Sequence, residues 1–253
     1  MATATAKKEL VEIKPIEVKR VKVRIVGDSP LITHVWSEKA RKEIRDKEMG
    51  LVQKTKARPI RKPVREAVDS LYWLRGKPGK EEIEALEQEH RKLCQEGEVE
   101  VAIEQLDNSP LFKDGYVLGF PASAVRIAAV SAAYRREWTK DKVSTFGVFR
   151  IEGWDEDAEI EAALLERNWI RIHGDMPRFR EDNVVVGISS ADLRYRAQID
   201  NWYADIVIAY DANGKYSLEQ IINFINVGGF SCGLGEWRTE KTGNWGAFHV
   251  EEC

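Results

Sequence analysis

The residue types best suited to binding chemistry are concentrated in one segment, VGGFSCGLGEWRTEKTGNWGAFHV, which ends at Val250. Glycines recur through it, with tryptophans and basic residues between them: Gly228, Gly229, Gly233, Gly235, Trp237, Arg238, Lys241, Gly243, Trp245 and Gly246. Glycine permits positive φ and close approach of a ligand to the backbone, whereas Arg, Lys and Trp suit phosphates and bases. The pattern predicts a loop that holds a nucleic-acid backbone. The alternative is a mobile turn between a helix and the last strand.

Acid–base chemistry has one candidate, His34, just beyond the first predicted strand. Histidine titrates near neutrality, which suits proton transfer from the 2′-hydroxyl of RNA. The alternative is a structural histidine that is satisfied by a backbone partner. We therefore expect no catalytic residue, with His34 as the one position to test.

Composition excludes several other classes of site. The chain has 39 basic and 42 acidic residues, so any nucleic-acid site must arise from local clustering of charge. The three cysteines are far apart, and no His, Cys or Asp cluster has metal-ligand spacing. No nucleotide-cofactor motif is present, since GLGEWR leads into a strand rather than a helix. We expect neither a metal nor a cofactor.

The sequence also predicts a cytoplasmic protein. No apolar run is long enough to span a membrane, and the first residues lack the apolar core of a secretion signal. The odd number of dispersed cysteines is typical of a reducing compartment.

A second basic segment precedes Arg65. It contains prolines at 59 and 63 but no acidic residue, and its cations are Lys54, Lys56, Arg58, Arg61 and Lys62. This composition predicts an extended basic loop. Its contacts with phosphates would add affinity rather than sequence specificity.

Hydrophobic periodicity predicts an α+β fold with six core elements. Val21, Val23 and Ile25 alternate with basic residues, as expected of a strand with one buried face. Ser217 and Gln220 form a predicted capping box before another helix. The series is β (18–26), α (121–136), β (192–199), β (202–210), α (217–227) and β (245–250). This is the βαββαβ order of the ferredoxin-like or RNA-recognition fold.

These elements predict a single domain over residues 1–253. Its ferredoxin-like core comprises residues 16–36 and 116–250. Residues 51–115 form a large insertion after the first strand, with the basic loop and a helix from about Glu82 to Gln95.

The predicted sheet would have one face open to ligand. If the apolar residues of the first two strands face the helices, Arg20, Lys22, Arg24, Arg194 and Arg196 share the other face. Single-strand binders combine such a charged track with aromatic platforms. The alternative is that each is a solvated strand residue.

The segment GGFSCGLGEWRTEKTGNWGAFHV, with a first strand leading into SPL, resembles the RAMP superfamily of CRISPR proteins. The resemblance implies a ferredoxin-like core, single-stranded RNA in a charged groove, and in some members filament assembly or RNA cleavage. The long insertion departs from a minimal member. VRIVGDSPLITHVWSEKA and GLGEWR…GAFHV are also similar to uncharacterised tailed-bacteriophage proteins, which implies a phage setting in a bacterial host cell.

Three functional hypotheses remain open. The first is a non-catalytic protein that binds single-stranded RNA or DNA, for example in phage replication or recombination. The second is a metal-independent endoribonuclease with His34 as general base. The third is a self-assembling or partner-binding protein, a homo-oligomer or filament, that antagonises a host nucleic-acid system.

Overall fold

The computed structural model describes residues 15–35, 38–51, 60–97, 112, 115–186 and 190–252. In this part of the chain, helices and strands are combined, and the strands form three antiparallel sheets. The prediction of an α+β protein is therefore confirmed. None of the helices within the described ranges is long and apolar enough to cross a membrane.

The central sheet is built from β1 (Val18–Gly27), β5 (Phe149–Gly153), β9 (Tyr203–Asp211) and β10 (Phe248–Glu251). The strands lie in the order β10–β1–β9–β5, and each neighbouring pair is antiparallel. Successive side chains of a strand point to opposite faces. The alternation of β1 therefore buries Val23 and Ile25 and leaves Lys22 and Arg24 partly exposed.

Two helices, α4 (Ala122–Arg135) and α7 (Leu218–Ser231), pack against the buried side of β1. The predicted capping box at the start of α7 is present, because Ser217 accepts from the backbone N–H of Gln220. Val23 and Ile25 share one hydrophobic cluster with residues of both helices. The expectation that the apolar side of the first strand packs on these helices is confirmed.

Residues 192–199 do not form the second strand of the central sheet, so that prediction is wrong. They belong to β8 (Ser190–Ile199), which pairs with β7 (Arg178–Val186) and β2 (Leu31–Ile32) in a second sheet. Residues 192–199 and 202–210 therefore do not pair with each other. Trp202 between them is only 1% exposed and donates its indole N–H to the carbonyl oxygen of Ser29. The chain crosses between the two sheets at this anchor, and β5 takes the place of β8 beside β9.

The third sheet is formed by β3 (Tyr72–Arg75), β4 (Val117–Pro121) and β6 (Trp169–Ile172), with β4 in the centre. It meets the central sheet through a bridge between His173 and Tyr203. The sequence also predicts a short strand near residues 169–173, and β6 is present there.

Five further helices complete the described chain: α1 (Glu38–Glu48), α2 (Pro63–Asp69), α3 (Lys80–Glu96), α5 (Lys142–Phe146) and α6 (Ala158–Arg167). The helix predicted from about Glu82 to Gln95 is present as α3, and Gly97 follows its last residue with a φ of 86°. Val64, Ile83 and Phe179 share a cluster that joins α2 and α3 to β7. The described part of the predicted insertion therefore contains the expected helix and also β3, which was not expected.

Candidate nucleic-acid interface

The basic row of β1 is neutralised by neighbouring carboxylates. Arg20 lies 2.9 Å from Glu152, Lys22 lies 3.9 Å from Asp205, and Arg24 lies 2.6 Å from Asp205. A second nitrogen of Arg24 donates to the other oxygen of Asp205 at 2.9 Å. These hydrogen bonds lower the pKa of Asp205 below its ordinary value. The positive charges of the row on β1 are therefore offset by carboxylates, so the row is not a surface of unpaired cations.

Aromatic rings cover two of these cations. Lys22 Nζ lies 3.3 Å from the ring centroid of Trp154, and the guanidinium of Arg24 lies 4.3 Å from that of Tyr203. We call Lys22, Arg24, Trp154, Tyr203 and Asp205 the β1 cluster. Asp205 is only 7% exposed, and the two oxygens that it could offer to other groups already accept from Arg24.

Arg194 and Arg196 lie on β8, in a different sheet from the row on β1. The expectation that they share one open face with that row is therefore wrong. The physical reason is the crossing at Trp202, which separates β8 from β9. Arg194 pairs with Asp192 at 3.3 Å, as an exposed strand residue would.

Arg196 has an unusual environment. It is 7% exposed, and its nearest carboxylates, on Asp182 and Glu236, lie 3.8 Å and 3.7 Å away. Those distances are too long for hydrogen bonds. Within the described ranges its Nε and Nη1 atoms have no hydrogen-bond partner. Burial lowers the pKa of this guanidinium, and the two carboxylates only partly offset that effect.

The predicted basic loop is described only at its end. Lys54, Lys56 and Arg58 lie outside the described residues. Arg61 donates to Glu66 and Asp192. Lys62 donates to Glu84 at 2.9 Å, just before α2 begins. Both described cations are therefore engaged in structural ion pairs.

The glycine-rich segment is divided between a helix and a loop. Helix α7 continues to Ser231, so Gly228 and Gly229 do not belong to the loop. A Cβ on Gly228 would lie 2.6 Å from the backbone nitrogen of Ala129, and a Cβ on Gly229 would lie 1.9 Å from the carbonyl oxygen of Phe248. These two glycines allow α7 to approach α4 and β10 closely.

Residues 232–247 form what we call the glycine loop, and backbone hydrogen bonds fix its shape. Gly233 and Gly235 have φ values of 69° and 74°. The N–H of Glu236 donates to the carbonyl oxygen of Ile32, and that of Gly246 donates to the carbonyl oxygen of Pro30. A Cβ on Gly235 would lie 2.2 Å from the oxygen of Ile32. The glycines therefore let the loop lie directly on the segment that follows β1.

Arg238 holds this loop together from within. Its guanidinium donates to the carbonyl oxygen of Gly235 and to Glu240, each at 3.1 Å. Glu240 also pairs with Arg135 of α4. Lys241, by contrast, is exposed at the end of a short 3₁₀ turn, Thr239–Lys241. Of the two predicted cationic contacts in the loop, Arg238 is already engaged and Lys241 faces solvent.

The two tryptophans of the glycine loop lie against two arginines of the second sheet. The guanidinium of Arg196 is 5.5 Å from the ring centroid of Trp237, and that of Arg180 is 5.2 Å from the ring centroid of Trp245. All four side chains contribute to one surface, which we call the arginine–tryptophan face. Both tryptophans are partly exposed.

The strand register brings like charges together on this face. Arg180 and Arg196 are directly opposite each other on β7 and β8. Like charges in that position are unfavourable, and Asp182 offsets them by contacting both arginines. Sequence reasoning missed Arg180, and it named Trp245 in the glycine-rich segment but chose Trp237 as the binding residue. Arg180 could have been noticed because it alternates with the buried Phe179.

A cavity of about 240 Å³ lies between α4 and the glycine loop. Its polar lining is provided by His34, Tyr72, Cys232, Glu236, Arg238 and Glu240. Withdrawal from water lowers the pKa of His34, and Arg196 and Arg194 act in the same direction against the opposing effect of Glu236. Burial, and then the charge of Glu236, raise the pKa of Tyr72. At neutral pH, His34 is therefore unprotonated and Tyr72 is protonated.

Within the described ranges, no group of three His, Cys, Asp or Glu side chains could hold a metal ion. Comparison with protein-family models gives no match for this chain, and no curated protein matches its sequence significantly.

Proposed function

We propose that this chain is a non-catalytic protein that binds single-stranded nucleic acid through the arginine–tryptophan face. The observation that carries the proposal is the buried guanidinium of Arg196, whose Nε and Nη1 have no hydrogen-bond partner within the described ranges. Buried donors without acceptors are rare and destabilising. A phosphate oxygen would supply the missing acceptor in a charge-assisted hydrogen bond.

The surroundings of Arg196 leave a route for such a ligand. The carboxylate of Glu236 lies 3.7 Å away, beyond hydrogen-bond range, and its side chain is 39% exposed. A phosphate approaching from this side would replace a loosely held anion rather than break a hydrogen-bonded ion pair. Trp237 and Trp245 then offer adjacent ring surfaces on which bases could stack, a contact that contributes roughly 1–3 kcal/mol per base.

The architecture supports a RAMP-like, ferredoxin-like assignment as part of the same proposal. In chain order, the central sheet and its two helices run β1, α4, β5, β9, α7, β10. This series has the βαββαβ order, with β5 rather than residues 192–199 as its second strand. The glycine loop occupies the connection between α7 and β10. A bacteriophage origin, with a role in replication or recombination, stays a prediction.

Fluorescence anisotropy with labelled single strands and duplexes of RNA and DNA tests the proposal. Trp245→Ala should weaken binding to single strands by roughly tenfold, the loss expected for one stacked base. Trp138→Ala is the matched control, since Trp138 is also partly exposed but lies beyond α4, away from this face. Absence of binding by the unaltered protein, or equal losses in the two variants, would contradict the proposal.

A second function is favoured by the cavity beside the glycine loop. This cavity is lined by His34, Tyr72 and Glu236. RNA cleavage requires a general base and a general acid close together, and His34 and Tyr72 can take these two roles. Unprotonated His34 could accept the 2′-hydroxyl proton, while protonated Tyr72 could donate to the leaving oxygen. Incubation of RNA with the protein in EDTA tests this function. Cleavage by the unaltered protein and by His249→Ala, together with loss of cleavage in His34→Ala, would establish it. Intact RNA after incubation with the unaltered protein would eliminate it.

A further inference from the structure

A separate cavity of about 440 Å³ opens between the start of α4, the edge strand β5 and the end of α6. Its volume falls within the range of small-molecule sites. Arg126 and Arg150 provide its positive charge, and Ser123 and Asn168 provide neutral polar groups. None of these residues belongs to the arginine–tryptophan face, so the cavity is a separate candidate site.

Among the described residues, the two arginines of this cavity have no counter-charge. Throughout the described ranges, neither Arg126 nor Arg150 has a carboxylate within ion-pair distance, and the buried Nε of Arg126 has no hydrogen-bond partner. The guanidinium of Arg126 instead lies 5.4 Å from the ring centroid of Phe146. Burial, together with repulsion from Arg150, lowers the pKa of Arg126.

The carboxylate that lines this cavity is already engaged. Glu152 accepts two hydrogen bonds from Arg20, at 2.9 Å and 3.4 Å. Two guanidinium groups therefore share the cavity with an acid that another arginine has neutralised. Like charges that face a common space are unfavourable unless an anion enters it.

We propose that this cavity binds a phosphate monoester, with Arg126 and Arg150 as its charged ligands. A monoester is close to a dianion at neutral pH, and planar guanidinium groups match phosphate oxygens in geometry as well as charge. The hydroxyl of Ser123 and the amide of Asn168 can donate to further oxygens. Ile151 and Leu165 supply an apolar wall for the rest of the ligand. The inference stands independently of nucleic-acid binding at the arginine–tryptophan face.

Calorimetric titration with inorganic phosphate, AMP and adenosine, at an ionic strength held constant with chloride, tests this site. Phosphate and AMP should bind, whereas adenosine should not. Arg150→Gln should weaken phosphate binding at least about tenfold, as expected for the loss of one charge-assisted hydrogen bond. Arg136→Gln is the control, because Arg136 is exposed just beyond the other end of α4. Arg126→Gln should reproduce the loss.

Thermal unfolding supplies a readout that separates a binding role from a structural one. Without phosphate, Arg150→Gln should unfold at the same or a higher temperature, because one of two repelling charges is gone. With phosphate, only the unaltered protein and Arg136→Gln should gain stability. Equal phosphate binding by Arg150→Gln, or no phosphate effect beyond that of chloride, would overturn the proposal.

Two oligonucleotides identify the source of the monoester. Tighter binding of a strand with a 5′-phosphate than of the same strand without it indicates a strand end. Tighter binding of AMP than of either strand indicates a mononucleotide. Both results support the site, and both remain interpretable if the arginine–tryptophan face proves inactive.

Discussion

The β1 cluster and the arginine–tryptophan face each combine two cations, two aromatic rings and one shared aspartate. In the β1 cluster, both oxygens of Asp205 accept from Arg24, at 2.6 Å and 2.9 Å. On the other face, Asp182 is hydrogen-bonded to Arg180, and its distance to Arg196 is 3.8 Å. Similar residues therefore give one saturated cluster and one in which two nitrogens of the buried Arg196 guanidinium find no acceptor among the described residues.

The number of basic residues in a cluster is therefore a poor guide to an anion site. A cation whose donors are already satisfied gains little by exchanging one acceptor for another. A buried cation that lacks acceptors gains a full charge-assisted hydrogen bond when an anion arrives. Arg196 is in the second condition and was selected from the sequence, whereas Arg126, which was not selected, is half-buried and meets it only at its buried Nε, which has no hydrogen-bond partner among the described residues.

The largest expected effect comes from the glycine loop, which positions one side of the arginine–tryptophan face. Gly235→Ala should lower the free energy of unfolding by about 3 kcal/mol, since it combines a positive φ with a clash against the oxygen of Ile32. Urea denaturation measures this loss. Gly50→Ala is the control, because Gly50 has a φ of 70° with no atom near its Cβ position. Equal losses in the two variants would show that the close contact is unimportant.

A smaller loss of stability is expected in the β1 cluster. Arg24→Ala should lower the free energy of unfolding by about 1–2 kcal/mol, allowing for solvent screening, because it leaves the buried Asp205 without its main donors. Its nucleic-acid affinity should be unchanged in the anisotropy assay. A large loss of affinity at unchanged stability would instead identify the β1 cluster as the binding surface.

Arg196 should show the opposite behaviour. Arg196→Met should leave the free energy of unfolding unchanged or raise it by up to about 1 kcal/mol, because it removes a desolvated charge whose Nε and Nη1 have no hydrogen-bond partner among the described residues. The same variant should weaken nucleic-acid binding. Urea denaturation combined with anisotropy tests both parts, and strong destabilisation by this substitution would mean that Arg196 is a structural residue.

The smallest expected effect concerns pH. Hydrogen bonds from Arg24 hold the folded-state pKa of Asp205 below its ordinary value. Such a group stabilises the fold above its unfolded pKa, about 3.9, and this contribution is lost as pH falls towards the folded pKa. Asp205→Asn should therefore flatten the acid limb of a plot of unfolding free energy against pH. In a protein that already carries Arg24→Ala, Asp205→Asn should change the pH dependence of the unfolding free energy little further. A double-mutant cycle measures this difference.

The sequence predicted the elements whose burial pattern is strong and local. The alternation of Val21, Val23 and Ile25 identified β1, and the Ser217 cap identified the start of α7. The sequence also predicts a short strand near residues 146–151, where β5 lies, but it did not place that strand beside β9. The chain leaves β8 for β9 at Trp202, whose indole acceptor on Ser29 is 173 residues away.

The candidate site was only partly predictable for a similar reason. Trp237 and Arg196 were both selected, but their contact arises from the fold of the glycine loop on the segment after β1. The sequence did not reveal which carboxylates offset the charges of the basic residues on β1. Arg20 and Glu152 are 132 residues apart, and Arg24 and Asp205 are 181 residues apart. Arg180 became significant only through its register with Arg196.

The hydrogen bonds between the glycine loop and residues Pro30 and Ile32 join segments that are distant along the chain. Contacts of this kind form late in folding, because the entropy of closing a long loop must be overcome first. The arginine–tryptophan face therefore assembles only after synthesis has reached the glycine loop. A ligand that binds there would oppose the separation of these two segments and so slow global unfolding. Partly synthesised chains would not present this surface to nucleic acid.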